Sequence, residues 1–459
     1  MAIQSQELSI ADEYVRANPR SRQRYEEQCG FTPGGITHYV RAFSPFPLFI
    51  DRCVGPSKWD IDGHEYVDYW LGHGAILLGH AHPAVVEAVR GQLAKGFHAG
   101  GETELGLEWA KLICDLVPSA EQVRFTACGG EATQMAIRLA RVHTGREKII
   151  KFHYNYHGWH DSVLTGVAPP FEIPFSPGIP RGVQDSMVLL PYNDIEAAKE
   201  VLEANDDIAG VILEPGGGFD DQIPSNPEFL RVLRETTRQR RVVLIFDEVV
   251  TGFRYAPGGV QEYFNVIPDI TALGKIIGGG LGAGAVAGKA EFMGPLAHKP
   301  DPEWMRFKLV PHPGTWNSNP VTAAAGVATL KLVATGEPTA TAINRTQQLC
   351  EGLNQVFQKH GLAAFAYGRS SIWKTCLGEP PKMISGDYSN FREESPQLFA
   401  GFGDLTDAFR KAMLLQGVDV MRTNGFMSAA HGDGEIERTV KACDRSLTRL
   451  KAEGTLDAA

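Results

Sequence analysis

The pattern of apolar and polar positions changes character near residue 80. Before it, strand-like runs are separated by turn residues, and the Asp62-Gly63 step between two of them predicts a hairpin. After it, short β-branched runs alternate with helical stretches, which predicts a mostly parallel sheet covered by helices. Beyond residue 336, helices mix with short strands again, which indicates a second, smaller α/β unit.

These changes predict three parts of the chain: an N-terminal segment over residues 1–80 that joins a small domain, a large domain over 81–335, and a C-terminal small domain over 336–459. Ligands of parallel sheets bind at the carboxyl ends of the strands. Apolar runs of the large domain end in Glu214, Asp247 and Lys275. We therefore expect these three side chains to lie at one edge of the sheet.

Composition and charge narrow the classes of function. The formal net charge is −10 and the seven cysteines are scattered, so we expect no nucleic-acid partner, no disulfide framework and no metal site. The N-terminus lacks the features of a signal peptide, and no apolar stretch approaches the ~18 residues of a membrane span. Together these features predict a cytoplasmic protein without membrane association.

Two strand ends carry groups whose chemistry depends on burial. Asp247 follows the apolar run 242–246, where a carboxylate either needs a cationic partner or caps the next helix. Lys275 stands between apolar residues and is followed by glycines. Burial lowers the pKa of a lysine and makes its amine nucleophilic towards aldehydes, although a lysine can also extend to solvent along its stem.

Two further segments offer contacts for a flat, phosphorylated ligand. Gly129 and Gly130 lie between a strand and a helix, where backbone N–H groups form either an anion site or an ordinary turn. Tyr156 offers a ring that stacks on a planar group or fills a core. With Asp247 and Lys275, these segments supply what pyridoxal 5′-phosphate (PLP) requires: a lysine, a carboxylate, a helix N-terminus and an aromatic face.

The order of these motifs resembles that of the class III aminotransferases, which are fold type I PLP enzymes. The resemblance extends over residues 34–447, and its most specific parts are residues 246–254, 273–284 and 313–320. Residues 40–43 are similar to the branch that contains glutamate-1-semialdehyde 2,1-aminomutase. The implied fold is α/β, with a large PLP-binding domain whose mostly parallel mixed sheet is flanked by helices, and a smaller α/β domain.

The resemblance implies a role for each matching residue. Lys275 and Asp247 would be catalytic: Lys275 would bind the cofactor aldehyde and shuttle a proton, and Asp247 would pair with the pyridinium nitrogen. The other implied contacts are Gly129 and Gly130 at the phosphate, Tyr156 and Val249 on the two ring faces, Glu214 at the phenolic edge, Thr315 at the phosphate of the neighbouring subunit of a homodimer, Arg41 at the substrate carboxylate, and Trp70 and His73 in the substrate pocket. The residue patterns leave Arg41 open as a surface charge, and Trp70 and His73 open as core residues.

The implied reaction is the transfer of an amino group between an amine or amino acid, here one with a carboxylate, and a carbonyl acceptor, by way of a Schiff base on Lys275 and pyridoxamine phosphate. Thr423 stands where the aminomutases carry a glutamate, and the loop 166–180 is rich in proline and phenylalanine. Both departures favour a transaminase over an aminomutase, which returns the amine to the adjacent carbon of the same molecule. A non-catalytic PLP-binding protein and an unrelated α/β protein are the remaining alternatives.

Overall fold

The computed structural model describes residues 8–218 and 222–456. Its strands are β1 (Ile50–Val54), β2 (Ser57–Asp60), β3 (Glu65–Asp68), β4 (Gln122–Thr126), β5 (Lys148–Phe152), β6 (Met187–Leu190), β7 (Ile208–Leu213), β8 (Ile223–Pro224), β9 (Val243–Asp247), β10 (Ile270–Gly274), β11 (Gly284–Gly288), β12 (Ala364–Tyr367), β13 (Ile372–Leu377), β14 (Val418–Asp419) and β15 (Asn424–Phe426).

The helices of these same residues alternate with the strands through the middle of the chain. They are α1 (Ile10–Ala17), α2 (Pro19–Gln28), α3 (Leu71–Gly74), α4 (Pro83–Leu93), α5 (Glu104–Leu116), α6 (Gly129–Thr144), α7 (Arg181–Asp185), α8 (Ile195–Ala204), α9 (Pro227–Arg240), α10 (Val260–Phe264), α11 (Ala290–Met293), α12 (Pro302–Phe307), α13 (Pro320–Val333), α14 (Glu337–Lys359), α15 (Phe391–Ala400), α16 (Thr406–Leu415) and α17 (Asp433–Ala452). Short 3₁₀ segments include Tyr39–Arg41 and Lys275–Gly278.

The central sheet has the strand order β4-β11-β10-β9-β7-β5-β6. Only β11 runs against its neighbours, because it is antiparallel to both β10 and β4 while the remaining pairs are parallel. Every residue of β7, β9 and β10 is buried, as expected for strands covered on both faces. The predicted mostly parallel sheet is therefore confirmed.

Helix α6 shows how the sequence covers this sheet. Its buried side is made of small and flexible apolar residues such as Ala132, Ala136 and Ala140, which let the helix axis approach the strands closely. Gly145 ends the helix in the left-handed region, where glycine has no steric penalty. Because β4 has the same direction as β10, α6 begins at the edge where β9 and β10 end.

The N-terminal strands pair with the end of the chain. β1, β2, β3 and β14 form a second sheet, in which Val418 and Asp419 lie parallel to Val67 and Asp68. A third sheet of β12, β13 and β15 is antiparallel. The predicted hairpin is present, since β2 and β3 are antiparallel and Gly63 takes a positive φ between them. The division at residues 80 and 335 stays a prediction.

Within residues 8–218 and 222–456, no helix combines the length and the apolar character that a membrane crossing requires.

Candidate active site

Three strands of the central sheet end in the residues that the sequence analysis singled out. β7 stops one residue before Glu214, β9 ends at Asp247, and β10 ends one residue before Lys275. The register pairs Leu213 with Phe246 across β7 and β9, so Glu214 and Asp247 emerge side by side. Only 3% of Glu214 and 4% of Asp247 are exposed.

The carboxylate of Asp247 is held on both oxygens. Oδ1 accepts a hydrogen bond from the backbone N–H of Val249 at 3.0 Å, and Oδ2 lies 2.7 Å from Nδ1 of His157. Burial lowers the pKa of His157, despite the opposing effect of Asp247. A neutral His157 donates from Nδ1 to the carboxylate and fixes its orientation. Nε2 of His157 has no hydrogen-bond partner among the described residues.

Val249 packs closely against two glycines, Gly129 at the start of α6 and Gly274 at the end of β10. A Cβ added to Gly129 would lie 2.6 Å from Cγ1 of Val249, and one added to Gly274 would lie 3.1 Å from the same atom. Only glycine fits at position 129 without displacing Val249. The predicted phosphate loop and the predicted ring contact are thus packed directly against the residue before Lys275.

The N-terminus of α6 has backbone N–H groups without a side-chain cap. Cys128 precedes the helix in an extended conformation and its thiol makes no capping hydrogen bond. Beside it, a Cβ on Gly158 would meet Cα of Gly130 at 2.9 Å, so the segment after Tyr156 lies against the helix start. The N–H groups of Gly129 and Gly130 are suited to an anion.

Lys275 has a backbone conformation that is unusual for its side chain. Its φ is 50°, in the left-handed region, directly after the last residue of β10. Such a conformation costs a non-glycine residue about 1 kcal/mol or more and is concentrated at functional sites. The side chain is half-buried at the sheet edge.

Tyr156 is fixed through its backbone, while 42% of the residue is exposed. Its N–H donates to Oε1 of Glu214 at 2.6 Å, and the N–H of Glu214 donates to Oδ1 of Asn155 at 2.9 Å. These bonds tie the residues around Tyr156 to the end of β7. Within the described chain, no group of three or more His, Cys, Asp or Glu side chains is arranged to hold a metal ion.

Arg41, Trp70 and His73 line a cavity of about 510 Å³. The indole N–H of Trp70 contacts Oδ1 of Asp419 and the carbonyl of Val420, each at 3.1 Å. Arg41 is exposed, and its Nη1 donates to Oγ1 of Thr37 at 2.9 Å. Among the described residues Arg41 has no acidic partner, so its guanidinium is available to a carboxylate from solution.

His73 is a half-buried ring that lines this cavity. Its ring centre lies 4.8 Å from that of His38 and 5.2 Å from that of Trp70. Burial, followed by the charges of His38, Arg41 and Lys275, lowers the pKa of His73 to about 4. The ring is therefore neutral at pH 7.

Thr315 lies on an exposed loop. Together with Ala127 and Glu131 it lines a different cavity of about 360 Å³, and its carbonyl contacts Nε2 of His98. The implied contact of Thr315 with the phosphate of a neighbouring subunit requires a second chain and stays a prediction.

The pairing of His157 with Asp247 was missed by the sequence reasoning. The two residues are 90 positions apart, and no local pattern marks such a pair. The position of His157 beside Tyr156 was the only available signal.

The class III aminotransferase family model matches residues 39–364, about seven tenths of the chain. The chain belongs to this family. A glutamate-1-semialdehyde 2,1-aminomutase of Methanopyrus kandleri is 38% identical over 439 residues, covering 94% of this chain and 98% of that protein. The predicted family membership is confirmed, and with it the prediction of an enzyme that uses PLP.

Solved structures agree with this family and with the fold type I architecture. An ω-transaminase from Sphaerobacter thermophilus superposes with a TM-score of 0.85 at 33% identity, covering 95% of this chain and 99% of its own. A β-phenylalanine aminotransferase from Variovorax paradoxus gives a TM-score of 0.83 at 31% identity, covering 97% and 98%.

The residues present fit PLP. Gly129 lets Val249, the predicted ring contact, pack against the start of α6, whose N–H groups suit a phosphate. The anchored carboxylate of Asp247 suits a protonated ring nitrogen. Lys275 supplies the amine at the end of β10.

Proposed function

We propose that this enzyme is an aminotransferase that moves an amino group between a carboxylate-bearing amine or amino acid and a carbonyl acceptor. The observation that carries the proposal is Arg41, an arginine without an acidic partner among the described residues, which lines the same cavity as Trp70 and His73. A planar guanidinium binds a carboxylate through two parallel hydrogen bonds. The names of the two transaminases above, both over 30% identical, support the same reaction.

Each residue of the site has a role in this proposal. Lys275 holds the cofactor and moves the proton at the substrate Cα, while Asp247, oriented by His157, keeps the ring nitrogen protonated. PLP, when bound, supplies an electron sink for the negative charge that develops at Cα. Gly129 and Gly130 hold the phosphate, Tyr156 and Val249 contact the two ring faces, and Glu214 lies at the phenolic edge. Trp70 and His73 bound the substrate pocket and limit the access of water.

The working unit that we propose is a cytoplasmic homodimer, in which Thr315 of each chain completes the phosphate site of the other. The exposed position of the Thr315 loop supports this part of the proposal. The proposed domains remain an N-terminal segment 1–80, a large PLP-binding domain 81–335 and a small domain 336–459.

The second candidate is an intramolecular aminomutase. It is favoured by the name of the relative from Methanopyrus kandleri and by relatives of the same name from Bacillus cereus, which are 38% and 39% identical to this chain. These relatives are more similar in sequence than the two transaminases are, so the names of the relatives favour this candidate more strongly. Against it, Thr423 replaces the family's glutamate, and Thr423 is buried, with its carbonyl accepting two hydrogen bonds from Thr375.

The experiment that separates the candidates is turnover with and without a carbonyl acceptor. The PLP-loaded enzyme is mixed with β-phenylalanine, a panel of α-amino acids, or glutamate-1-semialdehyde, and the visible absorption band and the products are followed. If the enzyme is an aminotransferase, an amino donor without an acceptor abolishes its visible absorption band and yields one carbonyl product per site. Turnover then begins when a 2-oxo acid is added as acceptor. Catalytic isomerisation of glutamate-1-semialdehyde without an acceptor, with no transfer from the other amines, contradicts the main proposal and establishes the second.

A further inference from the structure

Lys151 is a fully buried lysine on the strand next to one edge of the central sheet. It lies on β5, and none of its surface is exposed. Its Nζ donates to the carbonyl of Asn155 at 2.7 Å and to the carbonyl of Thr165 at 2.9 Å. A buried amine is costly unless its hydrogen bonds are made. Here they join the two ends of one loop, residues 155–165.

This loop reaches three parts of the proposed cofactor site. The N–H of Tyr156 donates to Glu214, and Nδ1 of His157 contacts Asp247. The carbonyl of His157 accepts a hydrogen bond from Oγ1 of Thr133 on α6 at 2.6 Å. Gly158 packs against the start of the same helix. The position of the loop therefore fixes the ring contact, the partner of Asp247 and one side of the phosphate site together.

We propose that Lys151 is a positioning residue, which holds the loop 155–165 and thereby orients Tyr156 and the His157–Asp247 pair towards the cofactor. The role rests on the function proposed above for Tyr156 and Asp247. Lys151 itself touches neither the cofactor site nor a substrate.

The charge of Lys151 gives this role a signature in pH. Burial lowers the pKa of Lys151 to about 7, and the charge of Glu214, at the end of the neighbouring β7, opposes the shift. His157 in the loop and His153 at the end of β5 both have their pKa lowered by burial first and by Lys151 in addition, while Glu172 opposes the effect on His153. A neutral amine keeps two donors for the two carbonyls. Deprotonation near pH 7 therefore changes the charge beside Glu214 and His157 while leaving the loop in place.

The test compares Lys151→Met with the wild type and with Lys148→Met in holoenzyme form. Lys148 lies on the same strand, is half-buried and makes no side-chain hydrogen bond in the described structure. The measurements are the dissociation constant for PLP, the pH titration of the visible absorption band, and thermal unfolding. Removing the amine leaves two buried carbonyls without a donor.

For Lys151→Met we expect the dissociation constant for PLP to rise about tenfold and the titration of the band to shift by about half a pH unit or more. Lys148→Met retains the wild-type values. Wild-type affinity and titration in a folded Lys151→Met protein overturn the proposal, even if its melting temperature is lower, because a merely structural lysine would change stability only.

If Lys151→Met does not fold, Lys151→Arg and Lys151→Gln decide the question, since arginine keeps the charge and glutamine keeps only the donors. Because Lys151→Arg is charged at every pH and Lys151→Gln is neutral at every pH, we expect them to shift the titration of the band in opposite directions from the wild type; identical titrations overturn the proposal. All of these measurements are made without a substrate. An enzyme that binds PLP normally but transfers no amino group would contradict the proposed function and leave the role of Lys151 intact.

Discussion

Two regions of the site are built by different means. The wall, formed by Glu214, Asp247, Val249 and Lys275, continues strands that are buried along their whole length, and backbone N–H groups hold its carboxylates. The rim, formed by Arg41, Trp70 and His73, lies on short turns, and side chains hold it. A sheet places the wall rigidly, whereas turns can change without disturbing the core. We infer that the wall determines the chemistry and the rim determines the substrate.

Loss of the Lys275 amine is expected to have the largest effect on turnover. Lys275→Ala removes both the covalent attachment of PLP and the group that moves the Cα proton, so turnover should fall by at least roughly 10²–10⁴-fold. The measurement is the rate of amino transfer, together with the visible band of the holoenzyme. Lys289→Ala, at a half-buried lysine before α11, is the control. Near-normal turnover by Lys275→Ala would refute the assignment of the wall.

Loss of the Arg41 guanidinium should reduce activity less, and only for amines with a carboxylate. Arg41→Gln removes a charged hydrogen-bonding group, which is worth about 1.5–3 kcal/mol, or roughly 10–100-fold in kcat/KM for an amine with a carboxylate. An amine of similar shape without a carboxylate should react as well as before. Arg52→Gln, at an exposed arginine over the ring of Trp59, should leave both substrates unaffected. An equal loss for both amines would mean that Arg41 supports the rim without binding the carboxylate.

The close contact between Gly129 and Val249 can be tested by adding a methyl group at position 129. Gly129→Ala would place a methyl group 2.6 Å from Val249, and such strain costs about 1–3 kcal/mol. We expect PLP affinity to fall about tenfold, and Val249→Ala in the same chain to restore much of it. Gly434→Ala adds a methyl group in open space at the start of α17 and should change nothing. If the double variant binds PLP as weakly as Gly129→Ala alone, the clash with Val249 is not the cause of the loss.

Glu248, buried directly after Asp247, is expected to affect stability and not turnover. Burial raises the pKa of Glu248 to about 7, although hydrogen bonds from Val260 and Gln261 oppose the shift. The folded chain then binds a proton more tightly than the unfolded chain, so the free energy of unfolding falls as the pH rises from about 4.5 through about 7.

Glu248→Gln removes this dependence. The difference in unfolding free energy between the wild type and the variant should shift against the wild type, on the order of 2–3 kcal/mol, across that pH interval. Chemical denaturation at several pH values measures it, and taking the difference cancels the contributions of other titrating groups. A difference that stays constant with pH would mean that Glu248 is ionised throughout, stabilised by its donors.

How much the sequence predicts follows the same division between wall and rim. Apolar runs that end in Glu214, Asp247 and Lys275 carry the parallel sheet and the position of these residues at its edge in their local pattern. The fold, and the family and cofactor that the motif resemblance implies, are confirmed. Contacts between distant segments leave no such trace. The partnership of Asp247 with His157 is one example, and the roles assigned to the site residues stay predictions.

The burial of a lysine on β5 is indicated by the sequence itself. Two lysines in the run Lys148–Phe152 are unexpected in a strand whose sheet is covered on both faces. The sequence indicates that one of them must be buried and bonded, but not to which carbonyls. That depends on the path of the loop 155–165, which is fixed only by tertiary contacts.

The pairing of β3 with β14 has a consequence for biosynthesis. Residues 65–68 leave the ribosome early, yet their parallel partner is Val418 and Asp419, and Asp419 also contacts Trp70. Because translation adds residues one after another from the N-terminus, this sheet and the anchor of Trp70 can form only when more than nine tenths of the chain has been made. The central sheet with Glu214, Asp247 and Lys275 can therefore form during synthesis, whereas Trp70 gains its partner Asp419 only near the end.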